Sequence, residues 1–430
     1  MVVILSVVNL VIISWFVYKT IQRQEVDFFL WGALFAVFAL PGVMDAVNSY
    51  ETEREWLITR AMVISISFNI LFWNTKIFID RVRCQKLSSK IYAPSFLLPL
   101  LIIILAIGIA LLIVHIMQNF SVSLSNTDTM FNLNWREVSL DNSTIYRDIS
   151  HRFLIVGSAS VVLAFVQRRI FLFIFSSILV ITATLIEGVR YLFAPAFLPV
   201  VFYIIAVSFR WKNMLMAGLS GILVLFFIYH VQTLRYQDDR SLHNFISSDN
   251  IVLTLERMFS IGGDKGKAEG ELRLRGFYYF LLDDMPDNHD FSWGQTYRRL
   301  ALLPFPTSML QGIKPTEYTK DIANYIYPER EGYGGTVHPL IYGESYANFG
   351  IFSIFVGIFW GFVYGIMGVW YRKKSAYMRI ILLTPISIFG IFLARGAVYS
   401  SAIFLFYGIL MMIVVVALFN KINKIRIFKR

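Results

Sequence analysis

Long apolar runs with their few charges at the ends make up most of the chain. A bilayer core of about 30 Å needs about 20 apolar residues at a helical rise of about 1.5 Å per residue. Eleven segments come near this length, and they lie near residues 2–18, 28–48, 57–79, 95–117, 152–166, 170–186, 191–209, 214–231, 341–371, 378–394 and 397–419. The pattern predicts an all-α polytopic membrane protein with about eleven transmembrane helices.

One long polar stretch interrupts the apolar segments and divides the chain into three regions. Residues 1–231 form a first membrane region, residues 232–340 a long loop, and residues 341–430 a second membrane region with a basic tail. Within the loop, residues 250–260 and 272–282 have a spacing of apolar and charged positions that predicts short helices on the membrane surface. Loops of this length are usually lids or binding elements, so we expect the chemistry to lie beneath it.

The positions of the basic residues predict the orientation in the membrane. Lysines and arginines are concentrated in every second connector, from Lys19 and Arg23 after the first segment to the tail that ends at Arg430. The positive-inside rule makes these connectors cytoplasmic, which places the N-terminus outside and the C-terminus in the cytoplasm. The long loop would then be extracytoplasmic, and its twelve basic against fifteen acidic residues agree with that side.

Composition excludes several classes of protein. Hydrophobic residues make up 57% of the chain and charged residues only 16%, with a mean hydropathy of +0.62, outside the range of soluble enzymes of this length. The net charge of +11 arises in the short connectors, so nucleic-acid binding is not indicated. Cys84 is the only cysteine, which excludes an internal disulfide and a thiolate zinc site. The histidines lack metal-ligand spacing, and we expect no metal.

Glycines recur in the ninth segment at a regular spacing. Gly357, Gly361 and Gly365 lie four residues apart, which places them on one helix face and allows a second helix to approach closely. This pattern indicates packing rather than chemistry.

A motif at the end of the long loop resembles a known family. Gly334 to Gly350 reads GGTVHPLIYGESYANFG, and it is similar to the loop end of O-antigen polymerases of the Wzy type. That family has a small-residue turn, a His or similar polar group, and then a Gly-Glu-x-Tyr-x-Asn-Phe-Gly run that enters a helix. Further similar pieces are Arg298 and Arg299 before Leu303-Pro304 and Lys314-Pro315, Gly188-Val189-Arg190 at a helix end, and Arg395-Gly396 between the last two helices.

The resemblance implies an enzyme of the bacterial inner membrane with a lipid-dependent, GT-C-like glycosyltransferase fold. Members of the family join oligosaccharide units carried on undecaprenyl diphosphate, by transferring the growing chain to the non-reducing end of a new unit. They need no cofactor, metal or nucleotide sugar. The implied partners are the lipid-linked oligosaccharide, membrane lipid, a chain-length regulator and a flippase.

The diphosphate leaving group requires cations at the membrane surface, because fixed guanidinium groups bind phosphate oxygens and stabilise developing negative charge. The candidates for diphosphate binding are Arg190, Arg275, Arg299 and Arg395. Arg190 and Arg395 lie in short outer turns, where the alternative is snorkelling to the interface or pairing with Glu187. The alternative for the other two is an ordinary solvated loop charge.

The acceptor hydroxyl must lose a proton as it attacks the anomeric carbon, so a general base is expected. His338 suits this role because its ordinary pKa is near neutrality, and Glu344 near the outer end of the ninth helix is the competing candidate. The alternative makes Glu344 a helix charge paired with an arginine and His338 a loop residue.

Two rival functions remain open from the sequence. A lipid-linked polysaccharide ligase shares the broad fold, with a His and Arg residues in a long outer loop, although the Gly-Glu-x-Tyr-x-Asn-Phe-Gly run favours the polymerase. A transporter or flippase of the lipid-linked unit would be expected to show paired halves, broken helices and midplane charges, and none is evident in the sequence.

Overall fold

The computed structural model describes most of the chain, and every regular element in the described part is helical. The described residues are 1–48, 55–80, 93–94, 96–120, 145–187, 192–207, scattered positions in 211–233, 247–259, 273–305, 309–310, 312–328 and 336–428. The chain forms two compact units. The first contains Met1–Lys86, Asp264–Lys374 and Phe389–Ile403, and the second contains Leu87–Gly263, Ser375–Ile388 and Phe404–Arg430.

The described residues contain sixteen α-helices, numbered in chain order. They are α1 Val2–Arg23, α2 Phe28–Leu34, α3 Leu40–Asn48, α4 Glu55–Ile79, α5 Leu97–Phe120, α6 Ile145–Val166, α7 Ile170–Glu187, α8 Phe193–Val207, α9 Ser248–Phe259, α10 Arg273–Asp284, α11 Gln295–Ala301, α12 Tyr318–Ile326, α13 Leu340–Phe349, α14 Val356–Arg372, α15 Ala376–Ala394 and α16 Val398–Phe428. A π-helical turn, Phe35–Ala39, joins α2 to α3, and a 3-10 turn, Gly350–Phe355, joins α13 to α14.

Nine stretches of helix in the described part are long and apolar enough to cross a membrane. They are formed by α1, α2 with α3, α4, α5, α6, α7, α13 with α14, α15 and α16. The prediction of a polytopic all-α membrane protein is confirmed. The predicted segment at 191–209 corresponds to the shorter apolar helix α8, and the segment at 214–231 is described only in part, so the number eleven stays a prediction.

Helices α4 and α14 of the first unit pack closely because glycine lines one face of α14. A Cβ atom at Gly357 would lie 2.4 Å from the Phe68 carbonyl oxygen, and one at Gly361 would lie 2.4 Å from the Phe72 carbonyl oxygen. Both distances are far below van der Waals contact, so any side chain would force the helices apart. The packing role predicted for these glycines is confirmed.

Six charged residues in the described part of the first unit lie where the α1–α2 connection meets the ends of α4 and α14. We call them the inner charge cluster, after the side of the membrane that the sequence predicts for these ends. They are Arg23, Glu25, Asp27, Lys76, Asp80 and Arg372. Lys76 Nζ lies 2.7 Å from an Asp27 oxygen and also contacts Glu25, and Arg372 contacts Asp80. Burial raises the pKa of the Glu25 carboxyl, and the Lys76 ammonium opposes that shift. Three cations therefore face three carboxylates.

The second unit contains a smaller buried ionic group at the end of α7. Glu187 accepts a hydrogen bond from Arg147 Nε at 3.2 Å and also contacts the Nε2 atom of His151. The pattern of residues along the chain did not predict that these α6 residues lie beside Glu187. Glu187 therefore has two basic partners on α6, Arg147 and His151.

The two helices predicted within the long loop are present as α9 and α10, and their location on the membrane surface stays a prediction. Helix α10 is fixed to the membrane helices of the first unit by an ion pair. Arg275 donates from Nε and Nη2 to the two carboxylate oxygens of Asp45, at 2.6 and 3.0 Å, and the Tyr279 hydroxyl donates to the same carboxylate at 3.2 Å. This part of the loop is therefore docked on α3.

Candidate functional site

The turn between α15 and α16, which we call the outer turn after the side of the membrane that the sequence predicts for it, is bonded to the start of α13. The Leu340 N–H donates to the Arg395 carbonyl oxygen at 2.9 Å, and the Val398 N–H donates to the Glu344 carboxylate at 3.0 Å. Gly396 has a φ of +83°, and a Cβ there would lie 2.4 Å from the Leu340 carbonyl oxygen. Only glycine permits this approach, so the backbone of the outer turn lies directly against the start of the motif's helix.

Two loop cations meet over a single aromatic ring at the outer turn. The Arg299 guanidinium carbon lies 4.2 Å and Lys314 Nζ 5.2 Å from the ring centroid of Tyr399. Lys314 also donates to the Phe305 carbonyl oxygen at 2.7 Å, and Arg299 donates to the Pro315 carbonyl oxygen. We call Arg299 and Lys314 the outer cation pair.

The outer cation pair is not neutralised by the part of the chain that the structure describes. No carboxylate of those residues lies within ion-pairing distance of Arg299 or Lys314, and the buried Nε atom of Arg299 has no hydrogen-bond partner among them. Cation–π contacts contribute about 0.5–2 kcal/mol, less than the penalty for removing a cation from water. An anion between the two cations would offset that penalty.

A second carboxylate beside Tyr399, that of Glu317, accepts hydrogen bonds from hydroxyl groups. Glu317 accepts hydrogen bonds from the hydroxyls of Ser400 at 2.7 Å and Thr319 at 3.2 Å. These bonds hold the start of α12 against the start of α16. The acidic groups at the site therefore position backbone elements, whereas the cations do not pair with them.

His338 lies two residues before the start of α13. Its imidazole is half-buried, and its Nε2 atom is 3.1 Å from the Thr336 hydroxyl. The neighbouring Val337 N–H donates to the Thr319 carbonyl oxygen at 3.0 Å, which fixes the backbone beside α12. The imidazole is thus held near the outer turn while retaining access to solvent.

Glu344 is enclosed, in contrast to His338. Its residue is only 1% exposed, and its carboxylate accepts the N–H at the first residue of α16, where the helix dipole favours a negative charge. Asn348, one turn further along α13, donates to the Glu344 carbonyl oxygen at 2.7 Å and accepts the Thr296 N–H at 3.2 Å. Both motif residues therefore hold neighbouring elements in place.

The tyrosines of the motif also dock the loop on α4. The Tyr346 hydroxyl accepts a hydrogen bond from Arg60 Nη2 at 2.6 Å and donates to the Met285 carbonyl oxygen at 3.3 Å. The Tyr342 hydroxyl donates to the Asn69 side chain at 2.8 Å. These buried contacts explain why polar residues occur at regular intervals in an apolar helix.

Two loop tyrosines near Glu344 remain neutral phenols. Burial raises the pKa of Tyr297 and of Tyr318 well above the ordinary value, and the charge of Glu344 raises both further. Each can donate a hydrogen bond, and neither can act as a phenolate at neutral pH. They are donors rather than bases.

The structure places the predicted diphosphate ligands at different positions. Arg299 and Arg395 belong to the outer turn region, where the Arg395 guanidinium carbon lies 5.6 Å from the Phe392 ring centroid. Arg275 is paired with Asp45, and Arg190 lies outside the described residues. Lys314 and Tyr399 were not predicted as site residues. Lys314 could have been predicted from the Lys314-Pro315 pair that is part of the resemblance. Tyr399 could not, because its contacts with the two cations form only in the folded turn.

The described residues contain no group of three or more His, Cys, Asp or Glu side chains that could hold a metal ion. Comparisons of the chain with protein-family models, with curated proteins and with solved structures found no match. Function is therefore argued from the site itself.

Proposed function

We propose that this multi-pass membrane protein polymerises oligosaccharide repeat units carried on undecaprenyl diphosphate, as the resemblance to O-antigen polymerases of the Wzy type implies. The observation that supports the proposal most directly is the outer cation pair. Arg299 and Lys314 approach the same Tyr399 ring without a carboxylate partner in the described part. A lipid diphosphate presents several negative oxygens at the membrane surface, and two fixed cations would bind them and stabilise the leaving group.

The proposed reaction joins two lipid-linked units. A hydroxyl at the non-reducing end of the acceptor attacks the anomeric carbon of the donor chain, and the bond from that carbon to the diphosphate oxygen breaks. The bonding electrons leave with the lipid diphosphate, next to Arg299 and Lys314, with Arg395 nearby on the same turn. The hydroxyl proton passes to the His338 imidazole. The growing chain is thereby transferred to the new unit.

His338 is preferred as the general base over Glu344 on grounds of access. The half-buried imidazole can reach a bound sugar, whereas the carboxylate of Glu344 is enclosed and already accepts the Val398 N–H. Glu344 then acts as a positioning residue, because it holds the outer turn that carries Arg395 and Tyr399. We further propose that the site faces the extracytoplasmic side of the bacterial inner membrane, with a chain-length regulator and a flippase as partners.

The test is the length distribution of surface polysaccharide in a deletion strain that expresses wild-type or variant protein. Arg299→Ala, Lys314→Ala and His338→Ala should each collapse the ladder towards a single repeat unit at unchanged membrane expression. Arg298→Ala is the matched control, since this neighbouring arginine is exposed and contacts none of the site residues above. It should leave the ladder unchanged.

The deletion itself separates the rival functions. A single repeat on the surface of the deletion strain supports polymerisation, because export and ligation continue without it. Loss of all surface polysaccharide would instead favour a ligase or a flippase. Normal ladders in all three site variants would show that the outer cation pair and His338 do not form the site.

A further inference from the structure

Five aromatic side chains of the long loop form a cluster that the proposed reaction does not use. They are Phe277 and Phe280 of α10, His289 in the turn that follows it, and Tyr325 and Tyr327 at the end of α12. The ring centroids of His289 and Tyr325 are 4.5 Å apart, those of Phe280 and Tyr325 are 6.2 Å apart, and those of Phe277 and Tyr327 are 6.5 Å apart. We call these five residues the aromatic patch.

The aromatic patch is open rather than enclosed. Phe280 is 36% exposed, and the other four side chains are partly exposed. A Cβ at Gly276, one helical turn before Phe280, would meet no atom within 4 Å, so the surface of α10 beside Phe280 is uncovered. Single exposed apolar residues are common on proteins, but a group of aromatic residues in a small area marks a surface that makes contacts.

Hydrogen-bond acceptors accompany the rings, and basic residues do not. The two segments that carry the patch, 276–290 and 321–328, contain no lysine or arginine, and they contain five aspartates at positions 283, 284, 287, 290 and 321. The side chain of Asn288 is exposed and donates to the Asp284 carboxylate at 3.2 Å. Hydrogen bonding to the same carboxylate raises the pKa of the Tyr325 phenol. The rings are therefore bordered by carboxylates and an amide.

These groups determine the chemical class of ligand that the patch fits. A phosphate or diphosphate would meet carboxylates without a compensating cation, which is unfavourable. An uncharged sugar presents C–H groups that can lie against the negative faces of aromatic rings, and its hydroxyls can donate to carboxylates and exchange hydrogen bonds with an amide. The combination of rings and acceptors therefore favours a neutral carbohydrate.

Helix α12 connects the aromatic patch to the proposed general base. At its start, the Thr319 carbonyl oxygen accepts the N–H of Val337, the residue before His338, at 3.0 Å. Tyr325 follows Thr319 by six residues, a helical rise of about 9 Å. A short oligosaccharide that lies on the patch and extends along α12 would reach the His338 imidazole, where the two reacting sugars meet in the proposed reaction.

We propose that the aromatic patch is a carbohydrate subsite, which binds neutral sugar rings of the lipid-linked oligosaccharide and holds the reacting end of that oligosaccharide near His338. Sugar rings contact Phe280 and Tyr325, and their hydroxyls donate to the exposed carboxylates and to Asn288. The diphosphate of the same substrate binds elsewhere, at the outer cation pair. The choice of an oligosaccharide rests on the proposed function, and a cationic protein segment is the alternative that the experiment must exclude.

The test measures binding of lipid-free sugars to the purified full-length protein in detergent micelles. The probe is the neutral fragments that partial acid hydrolysis releases from the surface polysaccharide of the source strain, and saturation-transfer NMR detects their contact with the protein. Phe280→Ala combined with Tyr325→Ala removes two rings of the patch. Gly276→Gln instead places a side chain in the open space beside Phe280 and removes no packing. Trp293→Ala is the matched control, because Trp293 is an exposed aromatic residue of the same loop outside the patch.

Wild-type protein and Trp293→Ala should bind the fragments equally, whereas the double variant and Gly276→Gln should each raise the dissociation constant about tenfold. Equal binding by all four proteins would overturn the inference, and so would a wild-type protein that binds no fragment. Binding of pentalysine in place of the fragments, weakened by the same variants, would also overturn it in favour of a cationic partner. Gly276→Gln keeps the test valid if the double variant fails to fold.

The fragments carry no diphosphate and need no polymerisation, so this result is independent of the deletion-strain experiment. Single repeats in the deletion strain without fragment binding would reject the carbohydrate subsite alone. Fragment binding at the patch without the single-repeat phenotype would reject the polymerase and leave a carbohydrate-binding surface.

Discussion

The described part of the first unit contains two groups of buried or half-buried cations, the inner charge cluster and the outer cation pair, which differ in how their charge is compensated. In the inner charge cluster, Lys76 and Arg372 each contact two carboxylates. In the outer cation pair, Arg299 and Lys314 contact carbonyl oxygens and the Tyr399 ring instead. Protein carboxylates neutralise the cations of the inner charge cluster, whereas the positive charge of the outer cation pair can bind an anionic ligand. The presence or absence of carboxylate partners therefore distinguishes a structural ionic group from a candidate anion site more clearly than burial does.

This difference has an energetic basis. Removing one member of a buried ionic group leaves its partners unpaired, which costs about 3–5 kcal/mol. A cation that has no carboxylate partner leaves no such orphan when it is removed, and its loss should affect ligand binding more than folding. Mutation of the inner charge cluster should therefore lower mainly stability, whereas mutation of the outer cation pair should lower mainly activity.

The largest effect is expected from Lys76→Met in the inner charge cluster. The substitution leaves Glu25 and Asp27 buried near each other without their shared cation, so the free energy of unfolding should fall by about 3–5 kcal/mol. The measurement is chemical or thermal unfolding of the purified protein in detergent micelles, together with its level in the membrane.

A compensated variant provides the control for this prediction. Lys76→Met combined with Glu25→Gln and Asp27→Asn removes the charges on both sides and should recover much of the lost stability, since neutral groups carry a smaller desolvation penalty. An unchanged free energy of unfolding in the single variant Lys76→Met would contradict the conclusion that the inner charge cluster stabilises the fold.

The second effect is expected at the outer cation pair. Arg299→Ala should lower the rate of polymer formation about 100-fold, the scale observed when one fixed electrostatic donor is removed from a transition state. Its unfolding free energy should change by no more than about 1 kcal/mol. Arg299→Lys should retain part of the activity, because an ammonium keeps the charge but loses bidentate geometry. A strongly destabilised Arg299→Ala protein would show that the outer cation pair contributes to folding as the inner charge cluster does.

Arg275 offers a sharper test, because it was predicted to bind diphosphate and yet pairs with Asp45. Arg275→Ala and Asp45→Ala should each destabilise the protein by about 1–3 kcal/mol, the cost of leaving a partly buried charged partner unsatisfied. If docking of α10 is the role of Arg275, both variants should reduce activity to a similar extent. Loss of activity in Arg275→Ala alone would return Arg275 to the diphosphate site.

The fold was largely predictable because its main signals are local. Length and apolar composition identify the membrane helices, and the spacing of Gly357, Gly361 and Gly365 predicted a close helix contact that the structure confirms. The break at Gly350 inside one long apolar segment was not predicted. Gly350 has a φ of +57°, and a Cβ there would lie 3.0 Å from the Phe291 ring, so the break involves a contact with a residue far away in the sequence.

The site was predictable only in part because its contacts join distant positions. The motif identified His338 and Glu344 as candidates, but it gave no sign that Glu344 reaches Val398 across 54 residues. The pairing of Arg275 with Asp45 spans 230 residues. Sequence spacing can identify charges that need a partner, but it cannot say which side chain will provide one.

The smallest effect is expected from Glu344→Gln, which separates a positioning carboxylate from a catalytic one. The amide oxygen of glutamine can accept the Val398 N–H as the carboxylate does, so the outer turn should stay in place and the unfolding free energy should change by less than about 1 kcal/mol. Glu344→Ala removes the acceptor and should cost about 1–3 kcal/mol. If His338 is the base, Glu344→Gln keeps a near-normal polysaccharide ladder while His338→Ala collapses it. A folded Glu344→Gln protein that makes only single repeats would instead make Glu344 the base, because an amide cannot accept the proton of a sugar hydroxyl.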